Sequence, residues 1–362
     1  MSVYPSELWF AGSADMPEAD STTVGGAVDF SKKPIFYDMS ATGTVDYFSS
    51  SSSDTATKIE VAGRNSTGVV VTETVTLTGT TVVAGAVSFQ RLLYAASSGA
   101  AANGPLANPT GTTAVGDLCV IQHTRTISGH TMQTGSASHT GTTPPVAHLQ
   151  SGDGASCAIG MVLRCTGGTG SGQIRWITAI TGYGTDYVAV NRDWTTVPDA
   201  TTTYDVAPGM VFDLSPNQVT AVIRPFATAA ADVSGGSTRF YYEKMFAVNN
   251  DTATALTLAS ILKQTDPGGF YSTSTVELDF ALCTALNDTA TATNRQTAPS
   301  GVGSYSSGAA PQTITVPSPQ NLPSGAAPNA AGAQGIWWRL TIYAGSSPLN
   351  SSWTPRITGQ TT

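Results

Sequence analysis

The chain has 362 residues, a net charge of −8 and an isoelectric point near 4.8. An acidic chain without a basic patch is not built to neutralise phosphates, so nucleic-acid binding is not expected. Charged residues make up 11% and apolar residues 40%, too apolar for a disordered chain and too poor in charge for an ordinary soluble domain, where about 25% is usual.

Ser, Thr, Gly, Ala and Asn take the place of the missing charge. Threonine is β-branched and covers a pleated surface without a charge. The composition therefore predicts an all-β protein of two or three domains. Lysine occurs only at Lys32, Lys33, Lys58, Lys244 and Lys263. Lysines normally guard edge strands, so their scarcity hints at edges covered by neighbouring subunits.

Residues 1–40 read as an N-terminal arm. The opening Met1-Ser-Val-Tyr-Pro has no basic n-region and no long apolar run, so no secretory signal is expected. Trp9 and Phe10 stand among polar and turn residues. They pack on their own domain or anchor a neighbouring subunit, since terminal aromatics suit interface pockets. Lys32-Lys-Pro precedes the strand-like Ile35-Phe-Tyr.

Residues 41–112 read as a β domain with a linker. In Thr57-Lys-Ile-Glu-Val-Ala-Gly, Ile59 and Val61 share a face. In the next run Val71, Val75 and Leu77 share one face, and Thr72, Thr74 and Thr76 the other. Glu73 falls on the apolar face, which signals an edge, an interface or a slipped register. Asn65-Ser-Thr-Gly and Thr78-Gly-Thr-Thr are turn candidates. The stretch 95–112 has linker composition.

Residues 113–215 read as a second β domain with a histidine-bearing insertion over 123–150. Its most patterned part runs from Gly167 to Val206. There Ile174, Trp176, Val188 and Val190 alternate, Gly167-Gly-Thr-Gly-Ser-Gly forms a turn, and Pro198-Asp-Ala closes the unit. Residues 216–362 read as a C-terminal β-sandwich. Its strand candidates are Gln218–Arg224, Thr238–Val248, Ala255–Leu258, Thr275–Leu282 and Gln334–Gly345, with a second Ala/Gly/Ser/Pro-rich arm over 288–333.

Little in the chain carries chemistry. The motifs G-x-S-x-G, G-x-G-x-x-G, the P-loop, H-E-x-x-H and the EF-hand loop are absent. Cys119, Cys157, Cys165 and Cys283 form no C-x-x-C pair; Cys119 and Cys283 read as small buried hydrophobes. His123, His130, His139 and His148 fall within 26 residues. They could converge on one metal ion, but their spacing matches no zinc pattern, and a solvated or interface loop is the expectation. Two carboxylates drawn from Asp186, Asp193, Asp199 and Asp205 could serve polysaccharide hydrolysis, although carboxylates in β-turns usually cap the turn. No run approaches eighteen apolar residues, so no membrane contact is expected. No cofactor, metal or catalytic residue is assigned.

The Gly167–Val206 pattern resembles a small module of tailed-bacteriophage structural proteins. Leu8-Trp-Phe-Ala-Gly-Ser-Ala, Val24-Gly-Gly-Ala-Val-Asp and Val222-Ile-Arg-Pro-Phe are similar to a class of phage and prophage structural proteins. So are Asp232-Val-Ser-Gly-Gly-Ser-Thr-Arg-Phe-Tyr-Tyr-Glu-Lys-Met-Phe, Ala333-Gln-Gly-Ile-Trp-Trp-Arg-Leu and Trp353-Thr-Pro-Arg-Ile. The resemblance implies a non-enzymatic virion protein made in the host cytoplasm. The first expectation is a capsid decoration (cement) protein on the shell exterior, its partners the major capsid protein and copies of itself. A trimer would suit local threefold positions, with the arms at 1–40 and 288–333 ordering on assembly. The alternatives are a tail or neck component (tail tube, adaptor or fibre base) and a host-polysaccharide-binding or depolymerising module.

Overall fold

The structure, a computed structural model, describes residues 8–17, 21–34, 38–99, 109–140, 143–180, 182, 184–213, 219–226, 236–251, 253–265, 276–306, 313–315, 322–323, 332–346 and 353–360. The fold is all-β with sheets antiparallel apart from one short parallel pair, Lys32–Lys33 beside Ala221–Ile223, and among the described residues the one helical turn is a 3-10 turn at Asp153–Ser156. Three β units are nested rather than strung in series.

The chain enters an outer sandwich through β1 (Leu8–Asp15) and β2 (Val24–Asp29). It crosses into a middle sandwich with β3 (Lys32–Lys33), β4 (Val45–Ser49), β5 (Lys58–Arg64), β6 (Val70–Thr76), β7 (Val83–Ala84), β8 (Arg91–Ser97) and β9 (Leu118–Gln122). It then builds an inserted sheet from β10 (Ile127–Thr131), β11 (Val146–His148), β12 (Val162–Gly167), β13 (Ile174–Ala179), β14 (Tyr187–Val190) and β15 (Thr203–Ala207). The return passes through β16 (Gly209–Phe212) and β17 (Ala221–Ile223), which complete the middle sandwich. The outer sandwich is closed by β18 (Arg239–Asn249), β19 (Thr257–Thr265), β20 (Val276–Leu286), β21 (Thr291–Ala292), β22 (Thr313–Thr315), β23 (Ala333–Ile342) and β24 (Thr354–Gln360).

In the outer sandwich the sheet β20-β23-β18-β1-β2-β21 faces the three strands β22-β19-β24. Tyr241, Met245, Phe280, Ile336 and Trp338 from the large sheet meet Ala259 and Ile261 from β19. The segment 1–40 is therefore not an arm as far as it is described: β1 lies between β18 and β2, in register from Leu8↔Asn249 to Gly12↔Met245. Its sequence lacks a period because both faces are covered, as in any strand buried on two sides. Phe10 packs on the outer core. Trp9 packs between Phe246, Val248 and Phe30 on one side and the middle core on the other. The stretch 288–306, expected as part of a second arm, lies on the back of the large sheet. There Val302 and Tyr305 cover Cys283, Tyr242 and Trp337. The expected strand Ile35-Phe-Tyr and most of 307–331 lie outside the described residues.

In the middle sandwich β16-β9-β4-β7 faces β3-β17-β8-β5-β6. Ile59, Val61 and Leu77 point into its core, with Val71 and Val75 at the margin, as the alternation predicts. The expected boundary near residue 112 is not where the units part, because β9 pairs with β4 and β16 pairs with β9. The inserted sheet leaves and rejoins at one point: Gly209 is opposite Ile121, and Gln122 N donates to Pro208 O at 2.9 Å.

The inserted sheet, ordered β10-β15-β12-β13-β14-β11, gathers Leu163, Cys165, Ile177, Val188, Val190, Tyr204 and Val206 into its own core. Its back face sets Val162, Ile174 and Ala207 against Phe48, Cys119, Ile121 and Val211 of the middle sandwich. The glycine run is the β12–β13 turn, with Gly168, Gly170 and Gly172 all at positive φ. A Cβ at Gly168 would stand 2.0 Å from the carbonyl oxygen of Thr201, so glycine is required there.

Candidate functional site

The placement of charge is the feature from which a function can be read. Among the described residues, Asp193 and Arg356 are the only exposed Asp, Glu, Lys or Arg; all others are buried or partly buried. Lys32, Lys33, Lys244 and Lys263 are buried. Each ammonium is bound inside. Lys244 Nζ donates to the carbonyls of Gly26 (2.9 Å), Asp288 (2.9 Å) and Ala290 (3.1 Å) and to Asp288 Oδ1 (2.6 Å). Lys263 Nζ donates to Leu278 O at 2.6 Å. Lys32 pairs with Asp29 at 3.1 Å. Lys33 sits 3.7 Å from Asp213 and 4.2 Å above the Trp176 ring, and burial lowers its ammonium pKa against the pull of Asp213. These four lysines are internal fasteners.

Glu73 resolves its mismatch as an edge. It lies on β6, the last strand of its sheet, with its side chain turned across the open seam of the sandwich. Its carboxylate accepts from Tyr47 Oη (2.8 Å), Ala86 N (2.6 Å) and Val87 N (3.2 Å). Burial raises the Tyr47 phenol pKa, and Glu73 adds to the rise. The carboxylate thus ties the margin of one sheet to the margin of the other. No local pattern in the sequence could reveal that partner, since Tyr47 lies 26 positions away.

The histidine segment is not one loop, for it contributes β10 and β11. Three histidines are matched one to one with aspartates. His123 Nδ1 lies 2.9 Å from Asp46 Oδ1, His130 Nδ1 2.8 Å from Asp153 Oδ2, and His139 Nδ1 2.7 Å from Asp193 Oδ2. His148 Nδ1 lies 2.6 Å from the Thr134 carbonyl, and the ring stacks on Tyr187 with centroids 3.9 Å apart. The four are not gathered on one ion, and no group of three metal-ligating side chains occurs among the described residues. Tyr204 Oη also donates to Asp153, and Gln150 N donates to Tyr204 Oη at 3.0 Å. The His130–Asp153–Tyr204 chain joins β10, the 3-10 turn and β15.

The four aspartates weighed for hydrolysis each cap a turn or close a local pair. Asp186 accepts Gly154 N at 3.0 Å and Asp205 accepts Gly129 N at 3.0 Å. Asp193 accepts His139 N at 2.8 Å. Asp199 accepts both the hydroxyl (2.6 Å) and the amide (2.8 Å) of Thr201, and these bonds hold its carboxyl below the ordinary value. A shallow hollow is lined, among the described residues, by Ser21, Asn294, Gln296 and Thr297. No helix among the described residues is long and apolar enough to cross a membrane.

All four cysteines are buried and unpaired. Burial pushes the Cys157, Cys165 and Cys283 thiols up to about 12 and raises Cys119 as well. Nucleophilicity belongs to the thiolate. A disulfide reagent at neutral pH is therefore expected to find no fast thiol in the folded protein and four after denaturation. A thiol titrating within seconds before denaturation would contradict this burial.

Comparison of the chain with protein families, with curated proteins and with solved structures finds no match.

Proposed function

We propose that this chain is a non-enzymatic structural protein of a tailed-phage virion, and within the virion a decoration protein that binds and reinforces the major capsid lattice. The observation that carries the reading is the scarcity of exposed charge among the described residues. A surface of hydroxyls, methyls and backbone lies against another protein without desolvating ions, whose removal from water is expensive. Multiple weak contacts repeated over a lattice then supply affinity through multivalency.

Some of the segments that resemble phage structural proteins support the same reading. Leu8–Ala14, Val24–Asp29, Arg239–Phe246 and Ala333–Leu340 fall on β1, β2, β18 and β23, four adjacent strands of one sheet, whereas Val222–Phe226 begins on β17, Trp353–Ile357 runs into β24 and Gly167–Val206 lies in the inserted sheet. A shared pattern on contiguous strands is what a shared packing unit leaves in sequence.

The test is to image purified virions and to delete the gene. Hundreds of copies over the shell, with deleted particles that lose heat resistance, are the expected result. A few copies, or a stack beneath the portal with unchanged shell stability, would assign the protein to the tail or neck instead. Clearing of host polysaccharide by the isolated protein would overturn the non-enzymatic reading.

A further inference from the structure

A sheet edge is a row of unpaired amides and carbonyls, and proteins block such rows with Lys, Pro, short strands, bulges or cover. Most edges here are blocked. Strands β3, β7 and β21 are two residues long, and β11 and β22 three. Strand β10 carries a bulge between Ser128 and His130. The four residues of β16 are all buried. Strand β20 is bridged by Ser306 and Val302. Strand β24 carries Pro355 and Arg356. Strand β6, seven residues reading Val-Val-Thr-Glu-Thr-Val-Thr, has no Lys, Arg or Pro and no strand paired along its outer side among the described residues.

The phase of the ladder shows which groups are free. Asn65 N donates to Val69 O and Leu77 N to Thr57 O. Pairing therefore alternates inward at Val71, Glu73 and Val75, whose Cα partners are Gly63, Val61 and Ile59. Val70, Thr72, Thr74 and Thr76 direct their amides and carbonyls outward, and their side chains are the exposed ones. The strand's single charge, Glu73, is turned away from the rim and bound by Tyr47, Ala86 and Val87.

We infer that β6 is a self-pairing edge, joining two copies of this chain antiparallel about a twofold axis and fusing their five-stranded sheets. A twofold antiparallel contact is self-complementary, so every outward donor meets an acceptor of the same strand in the other copy. Val70, 50% exposed, then lies against a threonine methyl of the partner, as cross-strand β-branched pairs favour. No charge on the rim opposes another. Joining β6 to β24 would instead put Pro355, which has no amide proton, into the ladder, so a closed dimer is favoured over an open chain of copies. The inference is independent of the virion reading, since a dimer in solution stands or falls without a capsid.

The test is the molar mass of the full chain by light scattering at tens of micromolar, with amide exchange on the same samples. The wild type is expected at twice 37.1 kDa, with slow exchange at Thr72 and Thr76. Thr74→Lys and Thr72→Pro alter only outward positions and spare the ladder to β5. Each is expected to halve the mass and speed exchange at Thr76, with circular dichroism unchanged. Thr358→Lys on β24 is expected to stay dimeric. A monomeric wild type overturns the inference, and so does a dimer that survives both β6 variants. Should both variants unfold, fast exchange of the wild-type Thr72 amide overturns it alone.

Discussion

Replacing Lys244 by Met is expected to lower the stability of the outer sandwich by about 3–5 kcal/mol, the usual loss when one partner of a buried ion pair is removed. Lys244 is fully buried on β18. Its ammonium joins strand β2 through Gly26 O to the segment entering β21 through Asp288 and Ala290. Methionine fills nearly the same volume, so the loss comes from polarity rather than from a cavity. It takes the ammonium from the Gly26 and Asp288 carbonyls, and leaves Ala290 O and Asp288 Oδ1 with only the Gly26 and Ala290 amides (both 3.0 Å), in a site walled by Phe246 and Trp337, whose rings lie 5.0 and 5.6 Å from Nζ. The double variant Lys244→Met, Asp288→Asn is expected to recover part of the loss, because the isolated charge is then gone while the Gly26 and Asp288 carbonyls still lack the ammonium. Calorimetry of the outer-sandwich transition reads both effects. A single variant within 1 kcal/mol of wild type would mean that water replaces the ammonium at no cost, contrary to a fully buried site.

How far this fold could be read from sequence depends on the distance over which each signal acts. The β5–β6 hairpin was legible because its causes are local. The Asn65 side chain accepts the Thr67 and Val69 amides, Gly68 takes positive φ, and Ile59 and Val61 alternate with polar neighbours. The β12–β13 turn was legible for the same reason. The nesting was not, because nothing near Leu8 specifies that it pairs with Asn249, and nothing near Leu118 specifies that it pairs with Ser49 and Phe212. Strand register between distant segments is set by mutual burial, which a linear pattern does not record.

The candidate site divides along the same line. The scarcity of lysine pointed toward assembly, but the physical reason lay in the fold: four of the five are spent on internal carbonyls and carboxylates. The misplaced Glu73 was a correct sign of an edge. The histidines looked like a set because they are close in sequence, whereas the structure gives three of them separate aspartates and His148 the Thr134 carbonyl. For Trp9 and Phe10 the sequence left packing on their own domain and anchoring a neighbour both open, and both lie against the molecule's own cores. In each case the residue type was informative and its partner was not.

Substituting Asn for Asp54 is expected to destabilise the middle sandwich by about 2–3 kcal/mol, although the two side chains have the same shape. Asp54 is buried in the connection between β4 and β5. Its Oδ1 accepts from Val115 N (2.8 Å) and Thr57 Oγ1 (3.4 Å), and its Oδ2 from Gly116 N (2.9 Å) and Ser49 Oγ (2.5 Å). One carboxylate thus fastens the end of β4, the start of β5 and the approach to β9, which is how the two facing sheets keep their spacing at that end. All four neighbours donate. An asparagine amide offers one acceptor oxygen and one NH2, and whichever way it turns, the NH2 confronts a backbone amide that cannot rotate away. One buried donor is orphaned and the remaining bonds lose their charge assistance, each worth about 1–3 kcal/mol. Asp54→Ala orphans both amides and is expected to lose more. Ser53→Ala, one position away but exposed, is expected to change stability by less than about 0.5 kcal/mol. The midpoint of urea unfolding followed through middle-sandwich amides separates the three variants. An Asp54→Asn midpoint equal to that of wild type would show that geometry alone, and not the acceptor-only character of the carboxylate, holds this corner together.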